Sequence, residues 1–326
     1  MGEPMVSGVT TVAAGWAVFA AVLLGLLALF AAALDGVATA RAERSVAAGG
    51  GGRPGGGRRG LAVPLLEAAR LLRQCRRVPV ASDVLLWRVG VAGLPVLALL
   101  MVAVVPLGRW TLFDLPVGVV WFNAMDVAVW AAVWLAGWGP NSAHSLVGGY
   151  RFLAYGLAYE LPLMFALVAP AVAAKSLRVG DIAAAQDGLW FAVWMPVAFL
   201  IYCMGALAFS VWGPFSPALG ADVAGGVSAE LSGADRLLLL AGRYALLAAG
   251  AAFAVPLFLG GGAGPLLPAW AWSLLKTVVL LAVLVLLRRR LPAVRPDRFM
   301  EVGWLILLPA ALLQDLVIAL VAIGRQ

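Results

Sequence analysis

Eight apolar runs recur along the chain, at about Val9–Leu34, Val84–Val105, Pro116–Ala136, Gly149–Ala173, Gly188–Trp212, Leu237–Leu259, Pro268–Leu287 and Gly303–Ile323. Each reaches the roughly 20 residues a helix needs to cross a bilayer. Backbone groups in hydrocarbon must be bonded within their own segment, so each run is read as a membrane-spanning helix. Composition agrees, with 63% hydrophobic residues, 12% charged residues and a mean hydropathy of +1.00. The predicted fold is therefore all-α, a polytopic membrane protein of about eight transmembrane helices, in one membrane domain over residues 1–326. The first run lacks the basic n-region and small-residue cleavage site of a signal peptide and reads as an uncleaved helix.

Arginine placement sets the orientation. The loops 35–83, 137–151, 213–236 and 288–302 carry sixteen Lys or Arg, against four on the other side: Arg109, Lys175, Arg178 and Arg325. The positive-inside rule places those four loops in the cytoplasm and both termini outside. The formal charge of +7 thus reflects membrane-flanking arginines and needs no nucleic acid. Arginine dominance (21 Arg, only Lys175 and Lys276) together with abundant Ala and Gly suits a GC-rich bacterial gene and hence a bacterial inner membrane.

Loop 35–83 has two parts. Ala47–Gly60 is a Gly/Arg-rich stretch predicted to be flexible. Its single GxGxxG match (Gly50, Gly52, Gly55) follows no strand and is taken as accidental. Pro64–Arg77 is different, with Leu65, Ala69 and Leu72 on one helical face and Arg70, Arg73 and Arg77 on another. That pattern predicts an amphipathic helix on the cytoplasmic leaflet, either a plain anchor or the rim of a lipid-level cavity.

Chemistry is sparse. Cys75 and Cys203 form no CxxC pair and His144 is the sole histidine, so no iron–sulfur, haem or zinc set can be assembled. Any redox centre must sit on a partner protein. The unusual residue is Glu160, about 15 Å into a helix starting near Gly149 and therefore near the bilayer centre. A carboxyl group there costs a few kcal/mol unless it faces a partner or a water file. Pro162 follows and frees the Ala158 carbonyl. A proton path and a structurally paired acid both remain open. Asp126 is also mid-span and is expected to pair with a cation such as Arg243 or Lys276. Lys276 either functions or snorkels, and Asp315 reads as structural.

Gly137, Trp138, Asn141, Ser142, Ser145, Gly148, Arg151, Ala154, Tyr159 and Glu160 form a pattern that resembles the H subunit of NADH–quinone oxidoreductase, the complex I family. Membrane-bound hydrogenases use a homologous protein. Further similar elements are Glu43-Arg44 after the first helix, Pro64-Leu65 with Glu67 and Arg70, Phe258–Gly261 with Gly264-Pro265, and Trp272 with Lys276. Arg295, Asp297, Met300 and Gly303-Trp304 continue the likeness to the C-terminus.

The resemblance implies a membrane subunit that takes quinone as substrate, with FMN and iron–sulfur clusters on partner subunits and no catalysis by the isolated chain. It implies a quinone cavity shaped by Glu43, Arg44, Glu67 and Arg70. A proton path would run through Arg151, Glu160, Asp222 and Glu230, and hydrophilic partners would dock at Arg295 and Asp297. Departures are equally marked. Phe209, Val211, Trp212 and Ser216 stand where the family has an acid, asparagine, arginine and aspartate. Arg243-Tyr244 replaces Glu-Tyr, and Gln74 replaces an acid. These changes point to a divergent paralogue with degraded proton coupling. The equivalent membrane component of a hydrogenase or formate-hydrogen-lyase-type complex, a non-catalytic scaffold and a free-standing transporter are the alternatives.

Overall fold

The computed structural model describes residues 8–50, 59–186, 188–220, 225–288 and 290–324, the side chains of 43–50, 59 and 61 excepted. Among these residues, eight helices are long and apolar enough to cross a membrane, matching the eight apolar runs. The chain is an all-α, multi-pass membrane protein.

α1 (Trp16–Gly50) is followed by α2 (Arg59–Arg73), which lies against α1 and the helix Gly233–Phe258. The helical segment predicted at Pro64–Arg77 thus begins and ends earlier, because α1 and α2 both extend into the Gly/Arg-rich stretch. Residues 51–58 of that stretch lie outside the described residues. Leu71 of α2 is fully buried, while Leu65, Leu66 and Leu72 are exposed. α2 therefore has one apolar face on the protein and another for the bilayer surface.

α3 (Val84–Val102) starts at Asp83, whose carboxylate accepts from the N–H groups of Leu85 and Leu86 at 3.0 and 3.1 Å. It is wedged between α4 (Gly118–Trp138) and α9 (Gly233–Phe258). Gly90 and Gly242 make the wedge possible, since a Cβ at Gly90 would strike the α4 backbone and one at Gly242 would strike Leu94. Small residues let membrane helices approach closely where no hydrophobic effect drives them together.

α5 (Ala143–Ala174) begins six residues before the predicted Gly149 and runs unbroken through Pro162 and Pro170. At about 48 Å it exceeds the hydrocarbon thickness, so its first turns stand clear of the bilayer beside the loops. The short α6 (Val179–Ala184) and α7 (Phe191–Trp194) lead into α8 (Pro196–Phe209). Two 3-10 turns, Gly213–Leu219 and Val227–Ala229, fold the next loop back over α5. α10 (Ala269–Leu287) and the short α11 (Pro296–Val302) precede a π-helical turn, Gly303–Leu307, that opens into α12 (Leu308–Gly324). A two-residue parallel pairing of β1 (Thr10–Thr11) with β2 (Trp110–Thr111) ties the N-terminal segment to the α3–α4 connection.

Candidate functional site

Two polar assemblies stand out within the bundle. The first surrounds a cavity of about 450 Å³ between α1, α2 and α9, lined by Asp35, Thr39, Pro64, Glu67, Leu71 and Tyr244 among others. Glu67 reaches it because the amphipathic period of α2 turns one side toward α1. Arg70, one turn on, points outward and clamps Glu67 with two hydrogen bonds of 2.7 and 2.5 Å. That bonded guanidinium holds the Glu67 carboxyl below the usual carboxylate range. Glu67 and Arg70 are thus together at the rim of the cavity. The side chains of Glu43 and Arg44 lie outside the described residues.

The wall of the cavity brings Asp35, not singled out from the sequence, together with Tyr244, named there beside Arg243. Asp35 accepts from Arg288 at 2.8 Å and from the Tyr244 hydroxyl at 3.4 Å. Behind Tyr244, the indole of Trp212 stacks with two guanidinium groups, 4.6 Å from Arg243 and 4.9 Å from Arg288. Arg243 is buried and donates to the Val211 carbonyl at 2.6 Å. Cation–π contact with a desolvated indole is worth about 2 kcal/mol, which helps two cations share this site.

The second assembly lies deeper. Asp126 of α4 is fully buried and accepts from the Tyr159 hydroxyl at 3.2 Å. The Trp130 indole N–H donates to that same hydroxyl at 3.0 Å. Glu160 accepts from Asn123 at 3.2 Å, and its carboxyl group neighbours that of Asp126. One oxygen of each acid, Asp126 Oδ2 and Glu160 Oε2, lacks a conventional donor. Asp126 therefore bonds Tyr159 beside Glu160, correcting the expected pairing with Arg243 or Lys276. Arg243 is committed to Val211 and Trp212. Lys276 donates to the carbonyls of Leu259, Gly261 and Ala263 at 2.7, 2.9 and 2.9 Å and lies over Trp190.

In an aromatic layer one turn from Asp126, Phe122 stacks on Phe253 at 3.8 Å between ring centroids and meets Phe209 edge-on at 6.1 Å. All three are fully buried. Such a layer offers no hydrogen-bonding partner to a bridging water.

The remaining predicted residues are dispersed. Arg151 donates to the Gly225 carbonyl at 2.6 Å, and Glu230 accepts from Ser142 at 2.7 Å, so both hold the loop to the inner end of α5. Arg151 lies nine residues from Glu160, about 14 Å along the helix, and does not join its network. Asp222 is outside the described residues. Arg295 and Asp297 form an exposed ion pair of 3.0 Å at the start of α11. No group of three or more His, Cys, Asp or Glu suited to a metal occurs among the described residues.

The sequence matches a family model described as NADH dehydrogenase over residues 20–319. It is 35% identical over 269 residues to the second of the H subunits of NADH-quinone oxidoreductase in Geobacter sulfurreducens, covering 79% of this chain and 82% of that protein. Against the second H subunit of Cereibacter sphaeroides, the identity is 37% over 265 residues, with coverages of 79% and 82%. The H subunit of a Geobacillus species is 31% identical over 310 residues, 91% of this chain and 92% of its own length. With identity at this level across most of both partners, and eight spans in the expected places, the chain belongs to the family of NADH-quinone oxidoreductase H subunits, as a divergent member.

Proposed function

We propose that this chain is the membrane subunit of a complex I-like NADH:quinone oxidoreductase, with the cavity between α1, α2 and α9 admitting the quinone. The observation that carries this reading is the cavity itself. It opens between the first span and the amphipathic helix, at bilayer level, and Glu67, Asp35 and Tyr244 are its polar groups. An apolar recess with a few convergent polar side chains is the usual form of a small-molecule site. FMN and iron–sulfur clusters would lie on partner subunits above it, docked in part through Arg295 and Asp297. The chain would sit in a bacterial inner membrane with both termini outside.

The carboxyl pair of Asp126 and Glu160 is the proposed relay for protons, because it can hold and release one proton without opening the fold. A second reading, in which quinone reduction continues while protons no longer pass through this protein, is favoured by the lack of any hydrogen bond joining the Arg243 network to Asp126 among the described residues. Glu160→Gln separates the two. Glutamine keeps a donor for Asp126 and an acceptor for Asn123, so assembly should survive. In inverted membrane vesicles, the relay reading expects NADH:quinone reductase activity to persist while proton uptake per NADH falls several-fold. Unchanged uptake per NADH would remove the relay and leave only a quinone-binding scaffold.

A further inference from the structure

At the end of the bundle opposite α2, the first span stands partly clear of its neighbours. Between the start of α1, the end of α3, α9 and the start of α10 lies a separate cavity of about 370 Å³. Phe19, Leu23, Val105, Val255 and Leu274 make its wall apolar. Its few hydroxyl groups are already committed. Thr277 donates to the Ser273 carbonyl at 2.8 Å, Ser273 accepts from the Gly108 N–H at 3.1 Å, and Thr111 contacts the Phe113 carbonyl at 3.3 Å. The wall therefore asks for no polar ligand.

The mouth is different. Trp16, Trp110 and Trp270 ring it and are about half exposed, at 50%, 48% and 45%. Half-exposed indoles of this kind sit at the level of lipid headgroups. Arg109, next to Trp110, is exposed, and no carboxylate lies within ion-pair distance of it among the described residues. Its backbone is pinned, since the Arg109 carbonyl accepts from the Thr10 N–H at 2.7 Å and from its hydroxyl at 3.2 Å. An exposed arginine thus adjoins Trp110 at the opening of a dry pit.

An apolar wall whose hydroxyls are committed suits a hydrocarbon chain, and a cation beside the mouth suits an anionic headgroup. We propose that this cavity holds one acyl chain of an anionic phospholipid, from the leaflet opposite α2, with its phosphate on Arg109. The lipid packs the little-buried first span against α3 and α10 and so acts as part of the bundle.

The test uses the assembled complex in nanodiscs of dioleoyl phosphatidylcholine doped with dioleoyl phosphatidylglycerol. Cryo-electron microscopy should reveal acyl density running from the tryptophan ring to Thr277, with headgroup density at Arg109. Native mass spectrometry should find one fewer retained phosphatidylglycerol in Ala20→Trp, which fills the pit from α1. Arg109→Gln should retain a lipid there but lose the preference for phosphatidylglycerol. An empty cavity, a partner side chain or a quinone tail in the density would overturn the proposal. Unchanged lipid retention in Ala20→Trp would do the same, and should that variant fail to assemble, the wild-type density alone decides.

Discussion

Pro162 cannot donate to the Ala158 carbonyl, and the structure places Gly303 against that oxygen. A Cβ at Gly303 would land on it, well inside van der Waals contact, so Gly303→Ala forces α12 away from α5 by about 1 Å. Overpacking of this kind costs about 1–3 kcal/mol. The displacement also stretches the hydrogen bond from the Trp304 indole to the Leu157 carbonyl, now 3.2 Å, worth about 1 kcal/mol. Alanine's better helix propensity returns a little under 1 kcal/mol, leaving a net loss of about 1–3 kcal/mol. Gly25→Ala is the internal control, because nothing lies within 4 Å of a Cβ there. Thermal unfolding of the purified complex should place Gly303→Ala several degrees below wild type and Gly25→Ala at or above it. Glu160 lies two residues beyond Ala158, so proton uptake per NADH should fall in Gly303→Ala as well. If the two alanine variants melt together, the close approach of α12 to the freed carbonyl has no energetic weight and the reasoning fails.

Lys276→Met strips the donor from three carbonyls in the turn after α9, so the complex should lose about 3 kcal/mol or more and accumulate poorly; normal accumulation in immunoblots of membranes would refute the cage's importance. Because Asp126 and Arg243 belong to different networks, Asp126→Asn and Arg243→Gln should combine additively in melting temperature, within about 0.5 kcal/mol. Mutual rescue would instead mean that they are paired. Glu67 is held below the ordinary carboxylate range, so its contact with Arg70 is complete at neutral pH and is lost as pH falls through the lowered value. The contact is exposed and screened by solvent, so a spin label on the exposed Cys75 should report only slight loosening of α2 between roughly pH 7 and roughly pH 3. That acid-side step should vanish in Glu67→Gln; a step that persists has another origin.

The spans were legible because the bilayer imposes one requirement on every crossing segment, and apolar length alone meets it. α2 was legible for the related reason that a helix at an interface must segregate its faces. Its start was missed because glycine and arginine do not by themselves end a helix that packing holds. The same applies to Pro162, read as a local break: α5 continues through it because Gly303 and Trp304 of the last span cover the freed backbone. Polar partnerships were the least legible. Asp126 was visible as an acid out of place, but whether it meets Glu160, Arg243 or Lys276 depends on the rotation and height of packed helices. Charge complementarity favoured the two cations, while the fold satisfies both with carbonyls and indoles. Asp35 carried no signal, and Tyr244 only the family resemblance, until α1 and α9 bring them together.

Helix direction decides where the phenyl rings stand. α4 is the third span and α9 the sixth, so the two run in opposite directions. Arg243 lies ten residues before Phe253 on α9, about 15 Å along the axis, while Asp126 lies one turn beyond Phe122 on α4, about 6 Å back toward the level of Arg243. The stack of Phe122 on Phe253 therefore lies beyond Asp126, toward the C-terminal end of α9, and not between the acid and Arg243. Proton transfer needs a continuous series of hydrogen bonds, which packed phenyl rings do not supply. The relay proposed for Asp126 and Glu160 therefore needs its hydrogen-bonded route away from these rings, along the side of α5.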